Sequence, residues 1–282
     1  LQPSLLKASF MVTQIGDKTN LMRQNNLMEA VINELLETRF NKIEHVSKTG
    51  STNSDLVARA STLPDGFLLV SDYQTDGRGR KGRKWDAPPG RNLIFSVLLH
   101  PKWPPERHQL VTPALALATV EVLENFGLRA SVKWPNDVMI ELGNYKKIAG
   151  ILAEYVHQEN PVLVVGMGLN VGWPHQKDSA PPNSTSLIDC EIEKDRFELL
   201  IEILKNFEER LIEISSEKGN VTFRQAHIAK SSTIGGQVKV EHINGDIYGK
   251  AVDIEKDGLL VIENEHGTTS ITEGDVIHLR KL

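Results

Sequence analysis

Between residues 24 and 38, apolar positions recur every three to four residues at Leu27, Met28, Val31, Ile32, Leu35 and Leu36, which predicts an amphipathic helix. Residues 66–73 and 91–99 carry nearly unbroken apolar runs instead, and these read as strands covered on both faces. A short helical pattern of Leu56, Val57 and Ala60 lies between the first helix and these strands, behind the cap-rich stretch Gly50-Ser51-Thr52-Asn53-Ser54-Asp55. Thr112-Pro113 should open a further helix as N-cap and first helical residue. Its stripe is Leu115, Ala118, Val122 and Phe126, and Gly127 ends it. Residues 131–140 read as a strand broken at Pro135, where Asn136 and Asp137 can turn into a cleft. A hairpin over Gly143-Asn144 returns through 146–154, and 161–172 is a buried strand ending in glycine turns beside Asn170. Asp195 caps a long helix with Phe197, Leu200, Leu204, Phe207, Leu211 and Ile214 on one face and Gly219 near its end.

From about residue 232 the period falls to two, with Val238, Val240 and His242 alternating with polar residues before an Asn244-Gly245 turn. Strands follow at 247–254, 258–263, 268–272 and 276–280, separated by Asp257-Gly258 and His266-Gly267, which describes a small all-β barrel. The expected division is an N-terminal segment with one helix (1–40), an α/β domain (41–230) and the barrel (231–282). Residues 1–23 are polar and irregular, 173–186 form a loop rich in Pro, Ser and Asn, and residues 1–10 read as a processing remnant ahead of Met11. Forty residues are too few for a winged-helix DNA-binding domain, and they carry little positive charge.

Composition narrows this little. With 40% hydrophobic and 24% charged residues in 282, the chain is ordinarily globular. Neither a membrane-length apolar run nor a signal peptide is present, which points to the cytoplasm. The single cysteine, Cys190, excludes internal disulfides and fits a small, partly buried residue better than a nucleophile. Nine histidines show no metal-ligand spacing, so no structural metal is expected.

Charge changes the picture more. The whole chain is mildly acidic at −5, yet residues 77–84 hold three glycines, three arginines and two lysines with no acid. Glycine lets a backbone approach a ligand closely, and arginine presents a planar fork suited to phosphate or carboxylate. Gly77, Gly79 and Gly82 match G-x-G-x-x-G, but a dinucleotide site needs a helix directly after them. Trp85 and then Pro88-Pro89-Gly90 forbid one, and no P-loop motif exists in the chain. The segment therefore reads as a mobile loop that closes over an anionic ligand. Ser51 and Thr52, at a helix start, could meet a carboxylate or a polar ring. Lys147 opens an apolar strand, where an inward amine is costly unless it meets an anion.

With these pieces in order, residues 43–280 resemble the catalytic core of biotin protein ligases, the BirA family. The motifs are Gly50-Ser51-Thr52-Asn53, Gln74 followed by residues 77–85, Lys133-Trp134-Pro135-Asn136-Asp137, Lys147-Ile148-Ala149-Gly150-Ile151-Leu152, and Gly166-x-Gly168-x-Asn170. Each is weak alone; five in this order are specific. The resemblance implies an α+β fold, a mixed sheet with helices packed on one face followed by an SH3-like barrel. It implies that biotin and ATP form biotinyl-5′-AMP and that biotin then passes to one lysine of a biotin carboxyl carrier protein. By position, biotin would be held by Ser51, Thr52, Asn53, Gln74, Arg78, Gly79, Arg80, Lys147 and Gly150. The nucleotide would be held by Arg78, Arg80, Trp85, Lys133, Asn136, Asp137, Lys147 and Asn170. Lys147, Arg78 and Arg80 would act in catalysis, and Mg2+ would bind through the ATP phosphates without an assigned protein ligand. The resemblance leaves a homodimer open, and no repressor role or DNA partner is expected.

The chemistry agrees. A carboxylate attacking an α-phosphate is anion meeting anion, so cations must hold both groups and the added charge of the transition state. Three alternatives remain at this stage. A lipoate or octanoate ligase shares the fold, although the intact basic loop favours biotin. A non-catalytic biotin sensor or nucleic-acid binder fits the acidic total poorly. An enzyme that adenylates its own lysine would need K-x-D-G, and Lys256-Asp257-Gly258 lacks the intervening residue.

Overall fold

The computed structural model of the protein describes residues 28–173, 181–241, 245–272 and 274–279. The expected irregular N-terminus, the first turn of the expected helix with Leu27, the middle of the 173–186 loop, His242, Asn244 of the expected turn and Arg280 lie outside the described residues.

Seven strands build the larger sheet: β1 (Lys42–Val46), β2 (Phe67–Ser71), β3 (Leu93–Leu99), β4 (Ala130–Lys133), β5 (Asp137–Leu142), β6 (Asn144–Val156) and β7 (Val162–Leu169). Their order is β1-β2-β3-β7-β6-β5-β4. β1 and β2 run parallel and the remaining pairs antiparallel, so the sheet is mixed. The apolar runs are two-sided, as the unbroken pattern requires. On β3, Leu93, Phe95, Val97 and Leu99 enter the main core. That core is closed by α3 (Val111–Asn125) and α4 (Arg196–Ile214). Leu98 points the other way and packs with Leu69, Val162, Val164 and Leu56 of α2 (Thr52–Ala58). The long helices thus cover one face, while the short α2 covers one end of the other face and leaves its middle open.

Several local expectations need correction. The first helix, α1, is described over 28–34; Met28, Val31 and Leu35 are buried, but Leu36 is exposed and lies off the stripe. Strand β1 went unread because Ile43 is its single fully buried residue. Thr112 is not an N-cap: a 3-10 turn over Pro105–Leu110 runs straight into α3, which starts at Val111 and keeps Pro113 in its first turn. The break at Pro135 is a complete hairpin that pairs Lys133 with Asp137. Gly166 and Gly168 are not turns but interior positions of the regular strand β7. Gly219 does not end α4; α4 stops at Ile214, and Ser216 caps a further helix, α5 (Glu217–Ala229). α5 escaped the apolar pattern because its buried residues are Asn220, Phe223 and His227, two of them polar.

The second sheet contains β8 (Gln237–Glu241), β9 (Ile247–Ile254), β10 (Leu260–Asn264), β11 (Gly267–Ile271) and β12 (Asp275–His278), antiparallel in the order β11-β10-β9-β8-β12. Its core of Val238, Val240, Ala251, Ile254, Leu260, Ile262, Ile271 and Val276 also takes in Trp134 from the β4–β5 hairpin. Trp134 donates from Nε1 to Gly258 O at 3.0 Å and from its backbone to Thr233 Oγ1 at 3.1 Å. This hairpin is therefore gripped by both sheets, which sets the position of the next residue but one, Asn136. Among the described residues, no helix is long and apolar enough to cross a membrane.

His227 carries a stability prediction. It is 1% exposed, and burial pushes its pKa from 6.5 down to about 4. The folded state keeps the ring neutral, whereas the unfolded chain takes up a proton below pH 6.5. Stability from this group is therefore complete above pH 6.5 and falls as the pH drops toward 4. At 1.36 kcal/mol per unit the loss amounts to about 3 kcal/mol. His227→Leu should flatten this part of a urea-midpoint curve against pH; an unchanged slope would assign the acid sensitivity elsewhere.

Candidate active site

The open middle of the large sheet is a cavity of about 130 Å³. Glycines create it. Gly150 of β6 pairs with Gly168 of β7, and Gly166 sits opposite Leu152 and Ser96. A methyl group at 166 would enter Asn53 and Ser96, one at 168 would enter the indole of Trp85, and one at 150 would press on Trp85 and Lys147. None of the three has a positive φ, so absent side chains, and not unusual backbone, are what the site requires.

One end of the cavity is neutral and polar. Ser51 caps α2, accepting from Ser54 N, and Ser51, Thr52 and Asn53 are all buried. Thr52 donates from its backbone and hydroxyl to Gln74 Oε1 at 2.8 and 2.9 Å. Ser96 Oγ stands 2.6 Å from both Thr52 Oγ1 and Asn53 Oδ1. With its donors and acceptors already in place, this corner suits a polar ring system better than a charge.

The other end is cationic. Residues 77–85 fold back on themselves: Gly79 N donates to Arg83 O at 2.7 Å and Trp85 N to Gly77 O at 2.8 Å, around a 3-10 turn over Arg80–Gly82. Lys81 and Gly82 take positive φ at the tip, and no helix follows. Arg78 bonds Glu154 at 2.6 Å, and Arg80 reaches Asn136 Oδ1 at 3.4 Å. Lys147 Nζ lies 2.6 Å from Asp137 Oδ1 and 5.5 Å above the Trp85 ring. Its backbone is pinned on the side where β7 has ended, with Lys147 N donating to Asn183 O at 2.8 Å and Lys147 O accepting from Thr185 N at 2.9 Å. A fixed main chain aims the amine at the cavity.

Ser51, Thr52, Asn53, Gln74, Arg78, Gly79, Arg80, Trp85, Asn136, Lys147 and Gly150 all line this one cavity. Asp137 borders it through its ion pair with Lys147. Lys133 faces Asp137 across β4 and β5; burial, followed by the neighbouring Lys147 and Arg83, holds its amine below the ordinary range against Asp137 and Asp275. Asn170 is not brought to the cavity. It is buried behind the floor, donating to Thr185 O at 3.1 Å and accepting from Asn92 at 3.4 Å, where it braces the segment that pins Lys147. Glu154, Ser96 and Asp275 were not read from the sequence as site residues. Glu154 had a weak signal, as an acid in an otherwise apolar strand; Asp275 had none. Cys190 is partly exposed, with Sγ 3.8 Å from Thr185 Oγ1. Among the described residues no three His, Cys, Asp or Glu side chains gather in a way that could hold a metal ion.

Comparison with known proteins agrees with this geometry. The biotin/lipoate A/B protein ligase family matches residues 42–171, and the biotin protein ligase C-terminal domain matches residues 233–279. A biotin–[acetyl-CoA-carboxylase] ligase of Mycobacterium tuberculosis is 35% identical over 250 residues, covering 86% of this chain and 90% of that protein. The bifunctional ligase/repressor BirA of Bacillus spizizenii is 31% identical over 271 residues, covering 93% of this chain and 77% of that protein. Among solved structures, the biotin protein ligase of Aquifex aeolicus in complex with biotin and ATP superposes with a TM-score of 0.71 at 31% identity, covering 86% of this chain and all of that one. The chain belongs to the biotin/lipoate A/B protein ligase family and, within it, to the biotin protein ligases.

Proposed function

We infer that this ligase activates biotin in the glycine-floored cavity as biotinyl-5′-AMP and transfers it to a lysine of a biotin carboxyl carrier protein. The observation that carries this reading is one cavity with a neutral, hydrogen-bonding end at Thr52 and Gln74 and a cationic end at Arg78, Arg80 and Lys147. Biotin's ring system fits the first end and its carboxylate reaches toward the second.

The carboxylate attacks the α-phosphorus of ATP, a carbonyl-side oxygen–phosphorus bond forms, the bond to the β-phosphate bridging oxygen breaks, and pyrophosphate leaves. Arg78, Arg80 and Lys147 hold the two anions together and take up the charge that builds between them. Each cation is pre-aimed by a partner, Glu154, Asn136 and Asp137 respectively, so little reorganisation remains when substrate arrives. In the second step the neutral amine of the carrier lysine attacks the acyl carbon, AMP departs with the bridging oxygen, and one proton is released. Neither step needs a protein nucleophile. Magnesium, which the family implies, would come in on phosphate oxygens and supply further charge neutralisation. Asp137 faces Lys147, and among the described residues it belongs to no cluster of three His, Cys, Asp or Glu side chains. We place catalysis in residues 41–230 and a supporting role in 231–282, with residues 1–40 as a separate segment and the cytoplasm as the compartment.

The test is labelling of a folded carrier domain. Biotin attachment to one lysine should require both ATP and biotin and should survive excess octanoate or lipoate. Absence of labelling, or displacement of biotin by either competitor acid during adenylate formation, would overturn the assignment.

A further inference from the structure

The basic loop touches the second sheet as well as the first. Arg83 Nη2 lies 3.1 Å, and Arg80 Nη1 and Lys81 Nζ each 3.6 Å, from the carboxylate of Asp275 at the start of β12. Around the same carboxylate, Arg80 donates to Gly274 O at 3.2 Å and Lys81 to Glu241 O at 3.2 Å. The loop therefore has two moorings. Arg78 ties its first limb to Glu154 on β6, and Asp275 ties its tip to the C-terminal sheet.

We propose that Asp275 is a positioning residue for the nucleotide step: it holds the tip of the basic loop so that Arg80 stands at the cavity mouth beside Asn136. This deepens the ligase reading and rests on it. Three cations converge on this one carboxylate, and two of them, Arg80 and Arg83, also line the cavity, where they can meet a polyphosphate. Asp275 thus places the charge without cancelling it. Without it, Arg80, Lys81 and Arg83 repel one another within a single turn, and the tip swings away from β12. A single ion pair at a half-exposed position contributes little, but three on one carboxylate act as a network. The biotin end should respond far less, because Thr52, Asn53, Gln74 and Ser96 bond one another, and Asn53 bonds Leu152 O and Glu154 on β6, so their link to the loop runs through the limb that Arg78 moors and not through the tip at β12.

The experiment uses the full chain with Asp275→Asn and Asp275→Glu. Residues 78–84 contain five trypsin sites, so brief digestion of the ligand-free protein, read by mass spectrometry, reports on the mooring without any activity. Cleavage there should be at least fivefold faster in Asp275→Asn and near wild type in Asp275→Glu. In pyrophosphate-release assays the Asn variant should raise the KM for ATP at least fivefold while the KM for biotin stays within twofold, and Glu should restore most of the loss. Unchanged cleavage, faster cleavage with an unchanged or lowered ATP KM, or ATP and biotin constants rising together with a lowered melting temperature would each overturn the proposal. If the wild-type chain formed no biotinyl adenylate while the cleavage contrast persisted, the ligase reading would fail and the mooring would stand.

Discussion

Lys147→Ala should slow formation of biotinyl-5′-AMP by about 10²-fold, the scale expected when one pre-aimed charge at a transition state is removed, while the melting temperature moves by only a few degrees. The amine side chain is one-third exposed, so its truncation opens no closed cavity in the core. Two effects add in the rate. The cation we place between carboxylate and α-phosphate is lost, and Asp137 loses the amine that lay 2.6 Å away and keeps Lys133 as a neighbouring cation, so negative charge increases beside the cavity. The second effect can be isolated. Asp137→Asn on top of Lys147→Ala removes the stray charge and should recover several-fold of the lost rate, whereas two independent contributions would make the double variant worse than either single one. Pyrophosphate release before steady state measures this step apart from carrier docking. A fall in melting temperature that matches the fall in rate would mark Lys147 as a structural residue and remove it from the mechanism.

The cationic end of the cavity was legible because it is written in unusual residue types. A run of five cations in an acidic chain, and a lysine at the head of Ile148, Ala149, Ile151 and Leu152, both violate the expected patterning, and both fall on the cavity. The strands β2, β3 and β7 were legible because burial on two faces forces apolar runs. What failed were elements whose burial is carried by polar side chains. α5 hides Asn220 and His227, and Asn170 is buried as a brace, whereas the family resemblance had implied a nucleotide contact for it. Long-range partners were also invisible. Asp275 lies nearly two hundred positions from the arginines it meets, in a strand where an acid at an alternating position looks like ordinary solvated surface. Glycines misled for a related reason. Gly166 and Gly168 read as turns because their common use is conformational, whereas here the sheet runs on through them and their missing side chains are the cavity.

That last point gives the second large effect. Gly168→Ala should lower adenylate formation by more than tenfold through the nucleotide end, and Gly166→Ala by a comparable amount through the biotin end. At 168 the new methyl group displaces the indole of Trp85, which lies on this floor with its buried Nε1 unbonded among the described residues. Ring displacement also disturbs Lys147, whose amine sits 5.5 Å above the ring, so the KM for ATP should rise and the intrinsic tryptophan emission should shift. At 166 the methyl group meets Asn53 and Ser96 instead, so the Thr52–Gln74 corner is pushed and the KM for biotin should rise while tryptophan emission stays put. Both variants keep the backbone pairing of β7, and overpacking of this kind costs about 1–3 kcal/mol, which leaves the protein folded and the two kinetic signatures readable. If the two variants raised the same constant, the cavity would not be divided into a neutral end and a cationic end, and the separate roles of its two halves would have to be abandoned.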